Sequence, residues 1–204
     1  MNYHIEIATN AEEFACRASQ IIASNISIAL EKKERAQVAL AGGGTPSPAY
    51  SLLGQESLPW DRVDVFLGDE RWVEPTDKAS NSLMIRRTLK AGTFGSNATL
   101  YPVSTLDTSC PEISAELYSN LVRNTCSGTP PVFDLMVLGL GEDGHTASLF
   151  PGDDSCHVTD CYATVSVGKG LKRITLTAPV LSAARKVLFL VSGKGKQLAL
   201  KRLI

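Results

Sequence analysis

Short apolar runs alternate with amphipathic segments along this chain. Residues 3–8 read as a strand. Asn10 caps a long helix, and Glu13 completes a capping-box-like pair. Phe14, Ala18, Ile21, Ile22, Ile26 and Leu30 recur at helical spacing before a charged end at 31–35. A short strand at 37–41 breaks at three glycines, and a helix restarts over 47–53. A buried strand at 63–67 precedes a helix over 81–89 and a turn-rich connection at 92–97. The next helix, 112–125, carries Ile113, Leu117, Leu121 and Val122 on its apolar side. Ser127-Gly128-Thr129-Pro130-Pro131 stops it before a strand over 133–138. Strands near 162–167 and 173–176, a helical turn at 179–184, a strand at 187–191 and a final helix over 194–204 follow. In that helix Leu198 and its neighbours Leu200, Leu203 and Ile204 are expected to pack on the sheet. Strands alternating with helices predict an α/β fold: one open, mostly parallel sheet with helices on both faces.

The bulk properties narrow the class. A chain of 204 residues is long enough for one domain with a substantial core. Its apolar fraction of 44% and charged fraction of 20% are those of an ordinary globular protein. A formal net charge of −1 gives no bulk attraction to nucleic acid or anionic membrane. The N-terminus has no basic region followed by an apolar run, and no segment is long and apolar enough to span a bilayer. A cytoplasmic protein, monomeric or weakly self-associating, is expected. The five cysteines are odd in number and irregular in spacing, which favours free thiols in a reducing compartment. Cys156, His157 and Cys161 lack an evident fourth ligand, so no metal site is expected.

The chemistry sits in the loops after the strands. Gly42-Gly43-Gly44-Thr45 leads into a helix, where free N–H groups suit a phosphate or an oxyanion. Gly68-Asp69-Glu70-Arg71 places two acids and a guanidinium directly after a buried strand, and Arg grips phosphate or carboxylate with two parallel bonds. Asn81 and Arg86, on the following helix, can reach the same rim. Lys169-Gly170-Leu171-Lys172-Arg173 is a cationic cluster able to supply a phosphate's countercharge. Gly139-Leu140-Gly141-Glu142-Asp143-Gly144-His145 follows the 133–138 strand, at the end where open α/β sheets place ligands. Its imidazole, one of three in the chain, can titrate near neutral pH.

Taken in order, Gly-Gly-Gly-Thr-Pro at 42–46, Gly-Asp-Glu-Arg at 68–71, Ser80-Asn81 with Arg86, the run through His145-Thr146-Ala147-Ser148-Leu149-Phe150-Pro151, and Arg173-Ile174-Thr175-Leu176-Thr177 resemble the 6-phosphogluconolactonase family. They cover nearly the whole chain. The residues after His145 are the specific part, since the related glucosamine-6-phosphate deaminases continue differently. The resemblance implies a Rossmann-like open sheet, shared with ribose-5-phosphate isomerase. Two departures stand out. The family often has Lys-Pro-Pro before Arg-x-Thr-Leu-Thr, and the Lys169–Arg173 stretch here predicts a more mobile loop. The family also usually continues beyond the last helix, so a 1–204 lactonase domain truncated at its C-terminus is expected.

The implied activity is hydrolysis of 6-phospho-D-glucono-1,5-lactone to 6-phosphogluconate, in the oxidative pentose phosphate pathway. Neutral His145 is the candidate general base for water. The glycine-rich backbone or Arg71 supplies the oxyanion donors. Either Asp143 or Asp69 orients the imidazole. Arg71, Lys169 or Arg173 meets the phosphate, with Gly42, Gly43, Gly44, Thr45, Asn81 and Arg86 completing the substrate site. The partner is a small phosphosugar lactone, and no metal or organic cofactor is required. The alternatives are a sugar-phosphate deaminase or isomerase with Asp69 as base, or a non-catalytic sugar-phosphate sensor.

Overall fold

A computed structural model describes residues 3–105 and 107–203. Five strands form a parallel sheet: β1 (Ala36–Leu40), β2 (Val63–Leu67), β4 (Thr99–Leu100), β5 (Leu135–Gly139) and β8 (Val187–Leu190). Their order is β4-β2-β1-β5-β8. The chain runs outward from β1 to one edge, then returns to β5 on the other side of β1. The carboxyl ends of β1 and β5 therefore flank the topological switch point, where an open α/β sheet leaves a crevice.

The two faces of this sheet are buried separately. Val38, Leu40, Val63, Val65 and Leu67 point to one side, against α1 (Ala11–Leu30) and α2 (Ser47–Leu53) through Ile22, Ile26, Tyr50 and Leu53. Ala39, Phe66, Met136 and Leu138 point to the other, where α4 (Pro111–Thr125) and α5 (Ala178–Ala183) meet them. The alternation follows from the two-residue period of a strand. A mostly parallel sheet between helices is the fold class that the sequence predicts.

The strands expected near 162–167 and 173–176 are present, but they belong to a second sheet and not to the parallel one. β3 (Asp69–Arg71), β7 (Leu171–Leu176) and β6 (Ala163–Gly168) form an antiparallel sheet in the order β3-β7-β6. The Gly68-Asp69-Glu70-Arg71 run is thus a strand and not only a loop. Lys169 and Gly170, expected in a mobile loop, make the tight turn of the β6–β7 hairpin, with φ of 53° and 77°. Positive φ at both central residues matches the twist of a two-residue hairpin. α3 (Asn81–Arg87) and α6 (Gln197–Leu203) complete the list of α-helices among the described residues.

Three other expectations are corrected. Residues 3–8 form no strand: Tyr3, Ile5 and Ile7 are exposed, and Glu6 pairs with Arg17 of α1 at 3.6 Å in place of a sheet edge. On α4 the buried side is Ser114, Ala115, Tyr118 and Val122, while Ile113 and Leu117 face solvent. Polar bonding outranks apolar spacing there, because Ser114 and Tyr118 bring hydroxyls to buried partners. On α6 Leu198 is 60% exposed and Leu203 is also exposed, whereas Ala199 is buried. A small side chain on the inner face lets the helix approach closely. Ile204 lies outside the described residues. The Asn10 cap holds: its side chain accepts from Glu13 N at 2.9 Å. The Glu13 carboxylate, however, reaches back to Thr9 N at 2.7 Å and not to the cap residue's own N–H. No helix among the described residues is long and apolar enough to cross a membrane.

Tyr118 carries the most local consequence. Its hydroxyl accepts from Leu67 N at 2.9 Å and donates to Leu67 O at 2.8 Å. This closes the last backbone pair of β2 just before the chain leaves the parallel sheet. Tyr118→Phe strands both groups in a buried place and should cost about 1–3 kcal/mol. Denaturant unfolding will show it as a lowered midpoint, and an unchanged midpoint would mean that the Leu67 groups find other partners.

Candidate active site

The site begins with how β3 is held. Gly68 donates its N–H to Leu40 O of β1 at 3.1 Å, and its carbonyl accepts from Leu176 N of β7 at 3.0 Å. One residue therefore belongs to both sheets. Along β3, side chains alternate, so Asp69 and Arg71 share a face and Glu70 points the other way. Glu70 is 1% exposed. Its carboxylate accepts from Arg71 N (2.8 Å), Asn81 N (2.7 Å), Ser82 N (2.7 Å) and Ser80 Oγ (3.1 Å). Burial pushes its pKa above the ordinary value, and the N–H groups of Ser82, Asn81 and Arg71 pull the other way. The first turn of α3 is thereby tied to β3.

That tie places Asn81. Its Nδ2 donates to Asp69 O at 2.8 Å and to Asp69 Oδ1 at 3.2 Å. Its amide lies where a side chain on Gly42 would stand, 1.9 Å from that position. Gly42, Asn81 and Asp69 are thus stacked from the end of β1 to the start of β3. Asp69 Oδ2 also accepts from Ser148 Oγ and stands 3.6 Å from Arg173 Nη1.

Arg71 and Arg173 are directly paired across β3 and β7. Burial lowers the Arg173 pKa first, and the Arg71 charge adds to it. Like charges facing each other across a sheet are costly without countercharge, and Asp69 supplies only one. Arg71 Nη1 donates to Ala79 O at 2.5 Å, while its Nε is buried with no hydrogen-bond partner among the described residues. Arg71 lines a cleft of ≈ 210 Å³ together with Gly43, Gly44, Ser47, Lys78 and Asn81.

The loop after β5 forms the other half. His145 Nδ1 lies 2.6 Å from Asp143 Oδ1, and the His145 N–H reaches the same oxygen at 3.2 Å. Burial works against the Asp143 carboxylate, but the His145 backbone and imidazole outweigh it, and its pKa lies below the ordinary value. A carboxylate only accepts, so the proton of a neutral imidazole sits on Nδ1 and Nε2 carries a lone pair. Gly141 is required to be small: a Cβ there would lie 2.1 Å from His145 Nδ1. The loop is pinned by Gly141 N to His145 O at 2.7 Å and by Thr146 Oγ1 to Gly139 O at 2.9 Å. Ser148 N then donates to Thr175 Oγ1 of β7 at 3.2 Å, joining this loop to the second sheet.

The structure therefore brings together Gly42, Gly43, Gly44, Asp69, Arg71 and Asn81, with Arg173 across from Arg71 and with Asp143 bonded to His145. Between the two carboxylates that the sequence left open, Asp143 is the one bonded to the imidazole; Asp69 bonds Asn81 and Ser148. Thr45 Oγ1 meets Ser192 Oγ at 3.3 Å, linking the glycine loop to the chain after β8. Lys169 stands exposed at the hairpin turn. Arg86 is not part of the cleft: it is exposed on α3, where its charge acts on Lys90. A helix turns 100° per residue, so a position five after Asn81 points away from the rim. Glu70, Lys78, Ser148 and Phe150 escaped the residue-by-residue reading. Lys78 carried no signal; Glu70, Ser148 and Phe150 stand inside the motifs that carry the resemblance, and Glu70 is also a second acid beside a buried strand. Among the described residues no three His, Cys, Asp or Glu side chains group as metal ligands do, and all five cysteines are free.

The chain is similar to known proteins over nearly its whole length. The family model described as glucosamine-6-phosphate isomerases/6-phosphogluconolactonase matches residues 9–204. A 6-phosphogluconolactonase from Nostoc sp. is 36% identical over 203 residues, spanning 98% of this chain and 84% of that protein. One from Synechocystis sp. is 37% identical, spanning 96% of this chain and 82% of its own. The solved 6-phosphogluconolactonase of Trypanosoma brucei superposes with a TM-score of 0.87 at 27% identity, covering 98% of this chain and 85% of that one. The chain belongs to the glucosamine-6-phosphate isomerase/6-phosphogluconolactonase family.

Proposed function

We propose that this protein hydrolyses 6-phospho-D-glucono-1,5-lactone to 6-phosphogluconate, with His145 as general base. The observation that carries the reading is the pairing of two halves in one place. Arg71 and Arg173 are cross-strand neighbours, the Asp69 carboxylate stands beside Arg173, and an Asp143-oriented imidazole sits on the loop bonded to the same sheet. The first half suits a dianionic phosphate; the second suits proton transfer. The relatives that resemble the chain over nearly all its length carry the lactonase name, which favours this activity over the isomerase or deaminase of the wider family.

The chemistry follows from charge and proton positions. A lactone is a cyclic ester, and water attacking its carbonyl carbon must lose a proton. His145 Nε2 takes that proton. The imidazolium formed is stabilised by the Asp143 carboxylate on Nδ1. The carbonyl oxygen gains negative charge as the tetrahedral intermediate forms, and an N–H donor beside it offsets that charge. Collapse breaks the bond to the ring oxygen, and the imidazolium returns its proton to that oxygen. Arg71, whose Nε has no partner among the described residues, and its cross-strand neighbour Arg173 gain from an arriving phosphate. Lys78, on the cleft wall, adds a further positive charge.

His145→Ala should retain the fold and lose about 10²–10⁴-fold in kcat, the usual share of a general base. The assay is hydrolysis of freshly generated lactone at controlled pH, with spontaneous hydrolysis subtracted. Near-normal kcat in the folded variant would remove His145 from the role.

The pH profile gives a separate check. The Asp143 pKa is held below its ordinary value, so this carboxylate stays ionised and adds no protonation of its own to the acid limb. Activity should therefore fall on the acid side through one ionisation, with a log kcat slope of one against pH at saturating substrate. A slope approaching two over that limb would mean that Asp143 and His145 gain protons together.

A further inference from the structure

Phe150 touches both halves of the site. Its ring lies under the His145 imidazole, with centroids 4.4 Å apart and planes tilted by 38°. The Arg173 guanidinium carbon stands 5.5 Å from the centroid of the same ring. A single hydrogen bond to Asp143 fixes one edge of the imidazole but leaves the ring free to swing about that edge. An aromatic face beneath it removes that freedom. The same π-system attracts the guanidinium, since the quadrupole presents negative charge to a cation.

The backbone around Phe150 is arranged to hold the ring there. Phe150 O accepts from Asp153 N at 3.0 Å and from Cys156 Sγ at 3.0 Å. On the far side the ring presses on Gly168 at the end of β6. A Cβ built on Gly168 would lie 2.1 Å from both Cε2 and Cζ of Phe150, and the next nearest atom is Cδ2 of the same ring. The Gly168 carbonyl accepts from Arg173 Nε at 3.2 Å. Gly168 thus receives the ring on its α-carbon and the arginine on its oxygen.

We infer that Phe150 is a positioning residue, packed against Gly168, that sets the orientation of the His145 base and of Arg173 together. The inference rests on the reading of His145 as base given above. Phe150 needs no contact with substrate for this; it acts through the two groups it touches. A misplacement of about 1 Å in a catalytic group is worth up to roughly 10²-fold in rate. Because one ring serves both halves, its loss should lower kcat through the base and raise KM through the arginine.

Four variants test this: Phe150→Ala, Phe150→Leu, Gly168→Ala and the double Gly168→Ala/Phe150→Ala, each with the folded fraction measured. Phe150→Ala is expected to lower kcat by roughly 10–100-fold and to raise KM severalfold. Simple loss of folded protein would lower apparent kcat and leave KM alone. Gly168→Ala alters none of the charged or proton-bearing groups, yet it should reproduce both changes because the ring must move. In the Phe150→Ala background the added methyl enters vacated space, so Gly168→Ala should then cost little more; such non-additivity is the mark of direct coupling. Phe150→Leu, which fills the space without a flat face, should fall between wild type and Phe150→Ala, and it keeps the test open if the alanine variant does not fold. Wild-type kcat and KM in the Phe150 variants, or an undiminished Gly168→Ala effect in the double variant, would overturn the inference. His145→Ala, assayed alongside, separates the two failures. If it is inactive while the Phe150 variants are normal, only the role of Phe150 falls. If it is fully active, the base assignment falls and this role goes with it.

Discussion

The site depends on one backbone crossing. Gly68 gives its N–H to the parallel sheet and its carbonyl to the antiparallel one, so the chain changes sheets within a single residue. The strand that leaves this point must put Asp69 and Arg71 on one face and Glu70 on the other. Glu70 is then committed to the interior, where an unpaired carboxylate would be very costly. Donors from Arg71, Ser80, Asn81 and Ser82 meet it. Satisfying that buried acid is what brings α3 to β3, Asn81 over Gly42, and the cleft wall into being. The acid that does most to shape the site is one that faces away from it.

The second consequence is that charge accumulates on the Asp69–Arg71 face. β7 runs antiparallel beside β3 and sets Arg173 against Arg71, with Thr175 against Asp69. Ser148 reaches this face from the loop after β5, bonding Asp69 through its hydroxyl and Thr175 through its N–H. The His145 loop is therefore built from the parallel sheet and anchored on the antiparallel one. Proton-transfer and anion-binding groups come from different sheets, and the shared Gly68 and the Ser148 bonds help to fix their separation.

Much of this was legible in the sequence. Glycine and polar residues directly after buried strands marked the crevice, and the β1 and β5 loops do flank the switch point. Four strands of the parallel sheet read clearly as short apolar runs between turn signals, whereas the two-residue edge strand β4 gave no such run. In the antiparallel sheet β6 and β7 read as strands but β3 did not, since it is three residues long and wholly polar, and its strand character comes from a partner more than a hundred residues away. The inward face of α4 was misread because Ser114 and Tyr118 are buried for their hydroxyls, and hydrophobic spacing is blind to that. The choice between Asp143 and Asp69 as partner of His145 is a matter of loop geometry: Gly141 and Gly144 fold Asp143 back onto the imidazole two residues on. Arg86 entered through its charge and its place after Ser80-Asn81 in the motif, and helix rotation carries it away from the cleft.

The central claim is that a single substrate spans both halves, with its phosphate on the guanidiniums and its carbonyl carbon at the imidazole. A crystal structure with the product 6-phosphogluconate bound tests this most directly. The phosphate should lie within hydrogen-bond distance of Arg71 and Arg173 beside the Gly43–Gly44 backbone, and the C1 carboxylate should lie next to His145 Nε2. A product whose phosphate sits away from both guanidiniums, or whose C1 end points away from the imidazole, would contradict it.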